Sequence, residues 1–508
     1  MSRSPNILIG AGIGGLACAA TLAARGEPVL VLEAGDYPGG RMRETHPGGL
    51  NVDSGPTVLT LPKVFEEIFS AAGENLKDHL SFDPLQVLAR HAWSKNERLD
   101  LFANHQQSKQ AIAEFAGGSA ADGFEQFRKE ARNLYQALYP TFMTAQKPSL
   151  FGLASQIGPF GAMKLRAGAP FQSLWDALGR YFPDPRLRQL FGRYATYVGS
   201  SPYLAPAVLM LIAQVEMEGV YAVKGGMAEL ARALAELCRR QGVEFRYGQR
   251  VTRIHAEHGR VNAVECADGS RYAARAVVYN GEPALLASGN LGPEVKSAIS
   301  REILNTEPSL SALTYAWSAR AKDFPLDYHT VFFSKNYHQE FKEIWDERTL
   351  PSDPTIYICA QDRAPSWETS ANSPARKDMP ERLFAIINAP ALRQPRRKDA
   401  CPPTAEAIAQ TKEAAIQRMQ DCGLHLEIQH EVCTGPAEFA KLFPGNGGAI
   451  YGQACHGWNA PFKRPGARSS LPGLYLTGGG IHPGPGVPMV ALSGRLAAQA
   501  ILSDQGKR

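Results

Sequence analysis

The feature that most constrains the fold of this chain is a glycine string near its start, Gly10-Ala-Gly12-Ile-Gly14-Gly15. An apolar segment, Asn6–Gly10, precedes the string, a run of small and apolar residues follows over Ile13–Arg25, and a second apolar segment covers Pro28–Glu33. Short apolar segments predict buried strands, and the run between them predicts a buried helix that Gly26 ends. The sequence therefore predicts a β-α-β unit, which opens a doubly wound α/β domain with a parallel sheet.

The spacing of the glycines is the one that dinucleotide binding requires. Gly10 permits a tight turn, Gly12 lets a pyrophosphate approach the backbone, and Gly15 lets the helix pack closely on the strand. The phosphates are expected at the N-terminus of the helix, beside Gly14, where free N–H groups favour anions. Glu33 closes the second strand, where a carboxylate accepts hydrogen bonds from an adenosine ribose. These residues predict a dinucleotide site rather than a glycine-rich turn alone.

Composition excludes several other classes of protein. The 508 residues are 44% hydrophobic and 20% charged, with a net charge of +5, which excludes a disordered chain and gives little support for nucleic-acid binding. The eight cysteines form no C-x-x-C pair, so reduced core thiols in a cytoplasmic protein are expected rather than disulfides or a zinc site. We find neither a signal-peptide pattern nor an apolar stretch long enough to span a membrane.

Two further blocks of regular structure are predicted. The first, Gly225–Asn280, begins with a helix at Met227–Arg240 and continues with a β-meander. Its strands are expected at Val243–Tyr247, Val251–Ile254, Val261–Cys266 and, after a turn at Asp268-Gly269, at Ala276–Tyr279. The second block has a strand at Gly473–Thr477, a Gly/Pro loop to Pro488 and a closing helix to about Leu502.

The order of these blocks predicts two domains. Residues 1–80, 215–290 and 430–508 are expected to form a discontinuous dinucleotide-binding domain. Residues 81–214 and 291–429 are less regular and are expected to form an α+β substrate domain, inserted in two pieces and facing a membrane.

A second phosphate-binding pattern follows the first unit. Gly39-Gly40-Arg41 supplies paired glycines and a cation, and the segment Asp53-Ser-Gly55-Pro56-Thr57 comes shortly after it. These residues resemble the second part of the flavin fingerprint in the amine oxidase and carotenoid desaturase superfamily. The resemblance implies FAD as the cofactor, held in part by Gly40 and Arg41, with Gly55, Pro56 and Thr57 close to the flavin ring. Asp53 is expected to be a structural carboxylate.

The C-terminal segment narrows the resemblance. Thr477-Gly478-Gly479-Gly480-Ile-His482-Pro-Gly-Pro-Gly486-Val-Pro488-Met489 is similar to the signature of bacterial-type carotenoid desaturases. In that resemblance Gly478, Gly479, Pro488 and Met489 bind the flavin. The helix after Pro488 points its N-terminus at the flavin N1 and O2 side, where its dipole stabilises negative charge. Gly479 stands where many flavin amine oxidases carry an acidic residue.

Three more segments refine the resemblance: Tyr194–Pro206, Glu216–Val220 and Asp353–Arg363. With the C-terminal signature they look most like the hydroxyneurosporene desaturases, also called 1-hydroxycarotenoid 3,4-desaturases or methoxyneurosporene dehydrogenases. This resemblance implies hydride loss at C4 and proton loss at C3 of a 1-hydroxy or 1-methoxy acyclic carotenoid, in carotenoid biosynthesis of the spheroidene or spirilloxanthin type. It also implies that Val251 contacts adenine through its backbone, unless it is an ordinary core valine.

Two histidines are candidates for the proton acceptor. His482 is the first, because the reference pKa of histidine, near 6.5, suits proton transfer at neutral pH, although its ring also suits a role in fixing its loop by hydrogen bonding. His456, in Cys455-His-Gly-Trp458, is a weaker second candidate. The other histidines show no metal-ligand spacing, so no metal site is predicted.

The substrate implied by the resemblance is long and apolar, which predicts contact with a membrane. The apolar stretches Leu150–Met163 and Ala205–Ala213 are candidates for a membrane interface, for the wall of an apolar tunnel or for ordinary core. We expect peripheral association with an inner or photosynthetic membrane. The basic run Arg396-Arg-Lys398 is read as a solvated loop. The electron acceptor that reoxidises the flavin is not indicated by the sequence.

Three alternatives stay open at this point. A phytoene or neurosporene desaturase would act on unhydroxylated carotenes and shares the flavin motifs. A flavin amine oxidase would need a site for an amine cation. A lipid-binding protein similar to the Rab GDP-dissociation inhibitors would share the fold without the flavin, and the complete glycine string argues against it.

Overall fold

The computed structural model describes residues 4–147, 152, 172–364, 379–393 and 401–506. The strands are β1 Asn6–Ile9, β2 Val29–Leu32, β3 Glu44–Thr45, β4 Val52–Asp53, β5 Phe82–Pro84, β6 Val87–Ser94, β7 Glu97–Phe102, β8 Tyr221–Val223, β9 Glu244–Arg246, β10 Val251–Glu257, β11 Arg260–Cys266, β12 Arg271–Ala273, β13 Ala276–Tyr279, β14 Ser311–Lys322, β15 His329–Phe332, β16 Ile356–Ala360, β17 Glu381–Ala389, β18 His425–Thr434 and β19 Leu474–Leu476. The α-helices are α1 Ile13–Ala23, α2 Lys63–Ala71, α3 His105–Ala116, α4 Gly118–Leu138, α5 Leu174–Leu178, α6 Pro185–Gly192, α7 Leu211–Met217, α8 Ala228–Arg240, α9 Pro283–Ser288, α10 Tyr337–Lys342, α11 Ala405–Asp421, α12 Pro436–Leu442, α13 Ala460–Lys463 and α14 Val487–Asp504.

Two of the predicted stretches lie outside these residues. They are Leu150–Met163, apart from Gly152, and Arg396–Lys398. Within the described ranges, none of the helices combines the length and the apolar character that a membrane crossing needs.

A five-stranded parallel sheet organises the first part of the molecule, with the strand order β19-β13-β1-β2-β9. Strand β1 lies at its centre, paired with β2 on one side and β13 on the other. The predicted β-α-β unit is confirmed, because β1, α1 and β2 follow one another in this sheet. Strands from the start, the middle and the end of the chain therefore share one sheet, whose carboxyl edge carries the glycine string.

Both faces of this sheet are covered, which explains why β2 and β13 are apolar and buried along their whole length. Successive residues of a strand point to opposite faces. Leu8 and Val31 pack with helices α1, α8 and α14 on one face. Ile7 and Leu30 pack on the other face against β10 and β11. The predicted doubly wound character of the domain thus takes the form of one helical layer and one β layer.

The strands that follow α8 divide between two sheets. Strands β10, β11 and β12 form an antiparallel sheet, and β12 follows the predicted turn at Asp268-Gly269. Strand β9 instead pairs with β2, and β13 pairs with β1, both in parallel. The prediction of one continuous meander is therefore wrong for its first and last strands. Strand β13 is buried along its whole length, which suits the interior of a parallel sheet.

The second part of the molecule is built on a seven-stranded sheet with the order β18-β14-β17-β16-β15-β6-β7. Its neighbouring strands are antiparallel except for β15 and β6. Strand β18 crosses the predicted domain boundary at residue 430 because it pairs with β14 over Thr314–Lys322. The α+β character of this part agrees with the sequence, and the domain division itself stays a prediction.

Candidate active site

The glycine string forms the turn between β1 and α1. Gly12 is the N-cap of α1 and no side chain caps this end of the helix, so its first N–H groups are available for an anion. A Cβ atom on Gly15 would lie 2.2 Å from the Gly10 carbonyl oxygen, and one on Gly14 would lie 2.7 Å from Thr477 Oγ1. The close approach of helix and strand that was predicted for Gly15 is therefore present, and the turn fits a pyrophosphate.

Glu33 lies beside this turn, as its predicted role requires. Its Oε2 accepts a hydrogen bond from the Ala11 N–H at 2.6 Å, and its Oε1 accepts one from the Gly35 N–H at 2.7 Å. The Gln249 N–H donates to the Glu33 backbone carbonyl at 2.8 Å, so the segment that leads to Val251 runs past Glu33. Val251 itself is buried in the core under the sheet. The ribose and adenine contacts of these residues stay predictions.

Asn280 is a residue at this site that the sequence analysis missed. It directly follows β13, and its Nδ2 donates to the Gly10 carbonyl at 3.2 Å. A Cβ atom on Gly12 would lie 3.0 Å from Asn280 Nδ2, and one on Gly14 would lie 2.9 Å from Asn280 Oδ1. The signal that points to it is a polar residue at the carboxyl end of a parallel strand, where such sheets bind ligands.

The second glycine pair lies against the first. The Gly39 N–H donates to the Ala11 carbonyl at 2.9 Å, and a Cβ atom on Gly40 would lie 3.2 Å from Gly12 Cα. This contact brings the two predicted phosphate-binding turns together.

Arg41 connects the paired glycines to the C-terminal loop. Its Nη2 donates to Glu282 Oε1 at 2.5 Å, and its Nε is buried without a hydrogen-bond partner. Its Nη1 lies 3.7 Å from the position that a Cβ atom on Gly479 would take. Glu282 is a second residue that the sequence did not reveal, and it offsets the charge of Arg41. The guanidinium near Gly479, with its unpartnered Nε, fits a polar ligand.

The segment after Arg41 joins the two sheets. Asp53 accepts hydrogen bonds from the N–H groups of Met227, at 2.5 Å, and Ala228, at 3.2 Å, and so caps α8. Burial raises the pKa of Asp53 to about 6, against the opposing effect of these two hydrogen bonds. This geometry agrees with the structural role expected for Asp53.

Gly55, Pro56 and Thr57 carry the chain from there to the seven-stranded sheet. A Cβ atom on Gly55 would lie 1.8 Å from the Arg41 carbonyl oxygen, so the turn fits glycine alone. Pro56 is half-buried, and Thr57 Oγ1 lies 2.7 Å from the Tyr357 hydroxyl.

The C-terminal Gly/Pro loop leads from β19 into α14. Gly486 is the N-cap of α14, no side chain caps this end, and Pro488 lies in the first turn. The helix begins at Val487, one residue before Pro488, whereas the sequence predicted a start after it. A Cβ atom on Gly494 would lie 2.2 Å from the Gly14 carbonyl oxygen, so α14 packs tightly on α1. Because β1 and β19 are parallel, both helix N-termini lie at the same edge of the sheet.

His482 lies in this loop and is buried. Its Nε2 donates to the Ala145 carbonyl at 3.2 Å, and its ring packs edge-on against Phe142 at 4.7 Å between ring centres. Burial lowers the pKa of His482 to about 4. This geometry suits the loop-fixing alternative, and proton acceptance by His482 stays a prediction.

His456, the second candidate, is also buried. Its Nε2 accepts a hydrogen bond from the Ser201 N–H at 3.1 Å, and burial lowers its pKa to about 3. Across the residues that the structure describes, no group of three or more metal-ligating side chains could hold a metal ion.

An apolar cavity of about 530 Å³ opens next to the C-terminal loop. Its wall comes from the end of α4 and the turn after it, from Pro206–Glu216, and from Pro483–Met489. Of the alternatives for Ala205–Ala213, the structure therefore favours the wall of an apolar tunnel. The polar side chains in the wall are few: Thr60, Tyr197, Glu216, Cys455 and Arg464. Another cleft, of about 890 Å³, has a mixed polar lining, and within the described residues that lining includes none of Gly478–Met489.

One polar cluster reaches the cavity wall through Tyr197 and Glu216. We call it the Glu216 cluster: Arg193, Tyr194, Tyr197 and Glu216. Glu216 Oε1 accepts a hydrogen bond from the Tyr194 hydroxyl at 2.7 Å, and its Oε2 accepts one from the Tyr197 hydroxyl at 2.6 Å. The Tyr197 hydroxyl in turn accepts from Arg193 Nη2 at 3.1 Å. The sequence analysis did not identify this cluster, because Glu216 lies in α7 whereas the other three members lie in the separate helical turn Arg193–Val198.

Comparison with known proteins agrees with this geometry. The family model described as flavin-containing amine oxidoreductase matches residues 13–365. The chain belongs to this flavin-containing amine oxidoreductase family. The prediction of FAD as the cofactor is therefore confirmed, and the family membership assigns an oxidoreductase.

Relatives within the family are similar along nearly the whole chain. The hydroxyneurosporene desaturase of Rubrivivax gelatinosus is 44% identical over 98% of this chain and 93% of its own length. That of Cereibacter sphaeroides is 44% identical over 99% of this chain and 98% of its own length. A 1-hydroxycarotenoid 3,4-desaturase of Flavobacterium sp. is 29% identical over 97% of this chain and 98% of its own length. The predicted resemblance to hydroxyneurosporene desaturases is confirmed.

Solved structures support the fold of this family member. An oxidoreductase from Methanosarcina mazei aligns with a TM-score of 0.60 and 16% identity, covering 98% of this chain and 100% of that chain. Putrescine oxidase in complex with putrescine aligns with a TM-score of 0.60 and 12% identity, covering 99% of both chains. At these identities the likeness concerns the fold alone, and it confirms the predicted α/β architecture with a second, α+β part.

Proposed function

We propose that this chain is an FAD-dependent desaturase that introduces the C3–C4 double bond into a 1-hydroxy or 1-methoxy acyclic carotenoid. The observation that carries the proposal is the apolar cavity, whose wall includes the Gly/Pro loop at the N-terminus of α14. A cavity with so few polar side chains suits a polyene and disfavours an amine cation. The full-length similarity to hydroxyneurosporene desaturases agrees with this substrate class.

The residues around the glycine string fit FAD. The uncapped N-terminus of α1, with Gly12 and Gly14, would hold the pyrophosphate, and Glu33 would accept hydrogen bonds from the ribose. The paired glycines and the buried, unpartnered Nε of Arg41 supply a second polar edge near Gly479. Gly478, Pro488, Met489 and the uncapped start of α14 would support the flavin from the C-terminal side, where the helix dipole favours negative charge. Thr57, Pro56 and Gly55 would approach the ring from the side of β16.

Bound FAD would accept the hydride that leaves C4 of the carotenoid. The tasks left to the chain are to position the C3–C4 bond, to exclude water and to receive the proton from C3. Aliphatic side chains of Pro206–Val215 and the loop Pro483–Met489 surround the chain of carbons and keep water out. A hydroxyl at C1 that finds a polar partner in this wall would favour the hydroxylated substrate, because an unpaired buried hydroxyl costs about 1 to 3 kcal/mol.

A carotenoid reaches this cavity most readily from a lipid bilayer, and two exposed apolar side chains support such a route. Trp458 lines the cavity and is 44% exposed, and Leu204 is 49% exposed. The Gly457 N–H donates to the Leu204 carbonyl at 3.0 Å, so the two side chains belong to neighbouring segments. We propose that this surface rests on the membrane, as a peripheral contact without a spanning helix.

Product analysis tests the proposed function. The FAD-loaded protein is mixed with liposomes that contain either neurosporene or 1-hydroxyneurosporene, and the carotenoids are separated and weighed by mass spectrometry. We expect a product two hydrogens lighter, with a longer conjugated chain, from the hydroxylated carotenoid. A product from neurosporene alone would move the assignment to a desaturase of unhydroxylated carotenes, and reduction of the flavin by amines would move it to an amine oxidase.

A further inference from the structure

Two of the segments that carried the resemblance meet in the fold. They are Tyr194–Pro206 and Glu216–Val220, and the fold brings them together at the Glu216 cluster. Glu216 is buried, yet it belongs to the cavity wall, as does Tyr197. A buried carboxylate is costly unless it is hydrogen-bonded. The two tyrosine hydroxyls supply these hydrogen bonds to Glu216. A carboxylate held in this way in an otherwise apolar wall points to a function in the cavity.

Glu216 differs from the other polar side chains of this wall because it is a carboxylate, which can accept a proton. Burial raises the pKa of the Cys455 thiol to about 11, which keeps the thiol protonated at neutral pH. Arg464 is committed to backbone carbonyls, with Nη1 donating to Gly479 at 2.8 Å and Nη2 donating to Gln453 at 2.9 Å. Thr60 and Tyr197 carry neutral hydroxyl groups. Glu216 is the carboxylate among the described lining residues.

The cluster also lies close to the predicted flavin position. A Cβ atom on Gly199 would lie 2.6 Å from Tyr451 Cδ2, and one on the neighbouring Gly452 would lie 3.2 Å from Gly480 Cα. The segment that carries Tyr197 thus lies against Tyr451, and the next residue, Gly452, lies against the C-terminal loop.

A second path leads from the cluster to Thr57. Tyr357 bridges Thr57 Oγ1 and His329 Nδ1, at 2.7 Å from each. Burial and the positive charge of Arg193 both lower the pKa of His329 to about 3. Glu216 and Tyr197 share one cavity wall with Val58, which directly follows Thr57, and with Pro485–Met489 of the C-terminal loop.

We propose that Glu216 is the catalytic base that accepts the C3 proton. The C4–H bond breaks and its electron pair leaves with the hydride to FAD, which is reduced. The C3–H bond breaks, its electron pair becomes the second bond between C3 and C4, and the proton binds a carboxylate oxygen of Glu216. A C–H bond next to a developing carbocation is strongly acidic, so a weak base is sufficient to remove the proton. The position of the base relative to C3 therefore matters more than its strength. The Tyr194 and Tyr197 hydroxyls are positioning groups that hold the carboxylate.

The contrast with His482 sharpens the proposal. Among the described residues that form the cavity wall, His482 is absent, whereas Glu216 is part of that wall. The inference rests on the proposed function, since it presumes loss of an allylic hydride from a carotenoid. It does not depend on the C1 hydroxyl, because any such hydride loss leaves a neighbouring proton to be removed.

The test separates turnover from binding in the FAD-loaded protein. Glu216→Gln keeps the shape and an oxygen acceptor but cannot take the proton. Its matched control is Glu218→Gln, since Glu218 lies two residues further along and is exposed. Turnover is followed by product spectra in liposomes, and carotenoid affinity is followed by quenching of tryptophan fluorescence. We expect Glu216→Gln to lower turnover at least about 100-fold with affinity unchanged within about threefold, and Glu218→Gln to match the wild type.

Two results would overturn the proposal. One is turnover of Glu216→Gln within about tenfold of the wild type. The other is a selective loss of affinity for the hydroxylated carotenoid with normal turnover of what binds, which would assign Glu216 to hydroxyl recognition instead. If Glu216→Gln fails to load FAD, Glu216→Asp decides the question, because it keeps a carboxylate near the Tyr194 and Tyr197 hydroxyls but withdraws it by one methylene. A 10- to 100-fold loss of turnover supports the proposal, and wild-type turnover contradicts it.

A failure of the proposed function is seen separately, in the wild type. If the wild type converts only unhydroxylated carotenes, the substrate assignment fails, and the same variants are then compared on that carotene.

Discussion

The two halves of the candidate site differ in what forms them, which is closely packed backbone in one half and side chains in the other. The nucleotide side, which comprises the glycine turns of β1, α1 and α14, depends on the absence of side chains, because backbone atoms approach one another closely at Gly15, Gly55 and Gly494. The cavity side, which comprises the apolar wall and the Glu216 cluster, depends on many side chains from distant segments. The nucleotide side should therefore fail after the smallest change, whereas the cavity side should lose function in steps.

The largest effect is expected from Gly15→Ala, on the nucleotide side. The added Cβ atom would lie 2.2 Å from the Gly10 carbonyl oxygen, so the turn between β1 and α1 must open. We expect flavin absorbance per protein to fall to background after purification. Gly118→Ala is the control, since nothing lies within 4 Å of a Cβ atom there. Full flavin content in Gly15→Ala would contradict the assignment of this turn to the pyrophosphate.

The next largest effect concerns His482, whose contact with Ala145 joins the two sides. Because burial lowers its pKa from 6.5 to about 4, the folded protein binds this proton less tightly than the unfolded chain does. Stability from this group is complete above pH 6.5 and is lost as the pH falls towards 4. The wild type should lose about 2 kcal/mol between pH 7 and pH 5 through His482.

Urea unfolding of the wild type and of His482→Gln at both pH values measures this loss. The glutamine variant should lack that part of the acid destabilisation. Equal losses in the two proteins would show that His482 titrates normally, and would return it to consideration as a proton acceptor.

A smaller effect is expected from Ile212→Trp, on the cavity side. The indole would fill part of the cavity wall that Ile212 now lines. We expect carotenoid affinity to weaken about tenfold or more while flavin content stays at the wild-type level, which flavin absorbance and fluorescence quenching measure together. Ile212→Val, which leaves the cavity open, serves as the control. Loss of flavin in Ile212→Trp would contradict the independence of the two sides.

The smallest effect is expected at the proposed membrane contact. Replacing Trp458 or Leu204 with serine should weaken liposome binding about threefold each, because each removes part of an exposed apolar side chain from the bilayer. Leu442→Ser is the control, since Leu442 is equally exposed, at 49%, but lies in α12 and does not line the cavity. Flotation assays give the comparison, and equal losses in all three variants would argue against a localised contact.

The same contrast explains how far the sequence could be interpreted. The β-α-β unit, Glu33 and α14 follow local rules of spacing, and the structure has each of them close to the predicted position, with α14 beginning before Pro488 rather than after it. Asn280 escaped notice because its partner, Gly10, is 270 residues away along the chain. The Glu216 cluster escaped for a related reason, since a lone glutamate in an apolar helix reveals neither the tyrosines that bind it nor the cavity that it faces. The predicted meander wrongly included β9 and β13, because the apolar pattern of a single strand does not indicate which strand it pairs with.

The most direct test of the account follows the flavin without oxygen. The FAD-loaded protein is mixed anaerobically with liposomes that contain 1-hydroxyneurosporene or neurosporene, and the flavin band near 450 nm and the polyene bands are recorded together. We predict bleaching of the flavin with a red-shifted polyene for the hydroxylated carotenoid, in proportion to the double bonds formed. Absence of bleaching with both carotenoids would contradict the assignment of this protein as a carotenoid desaturase.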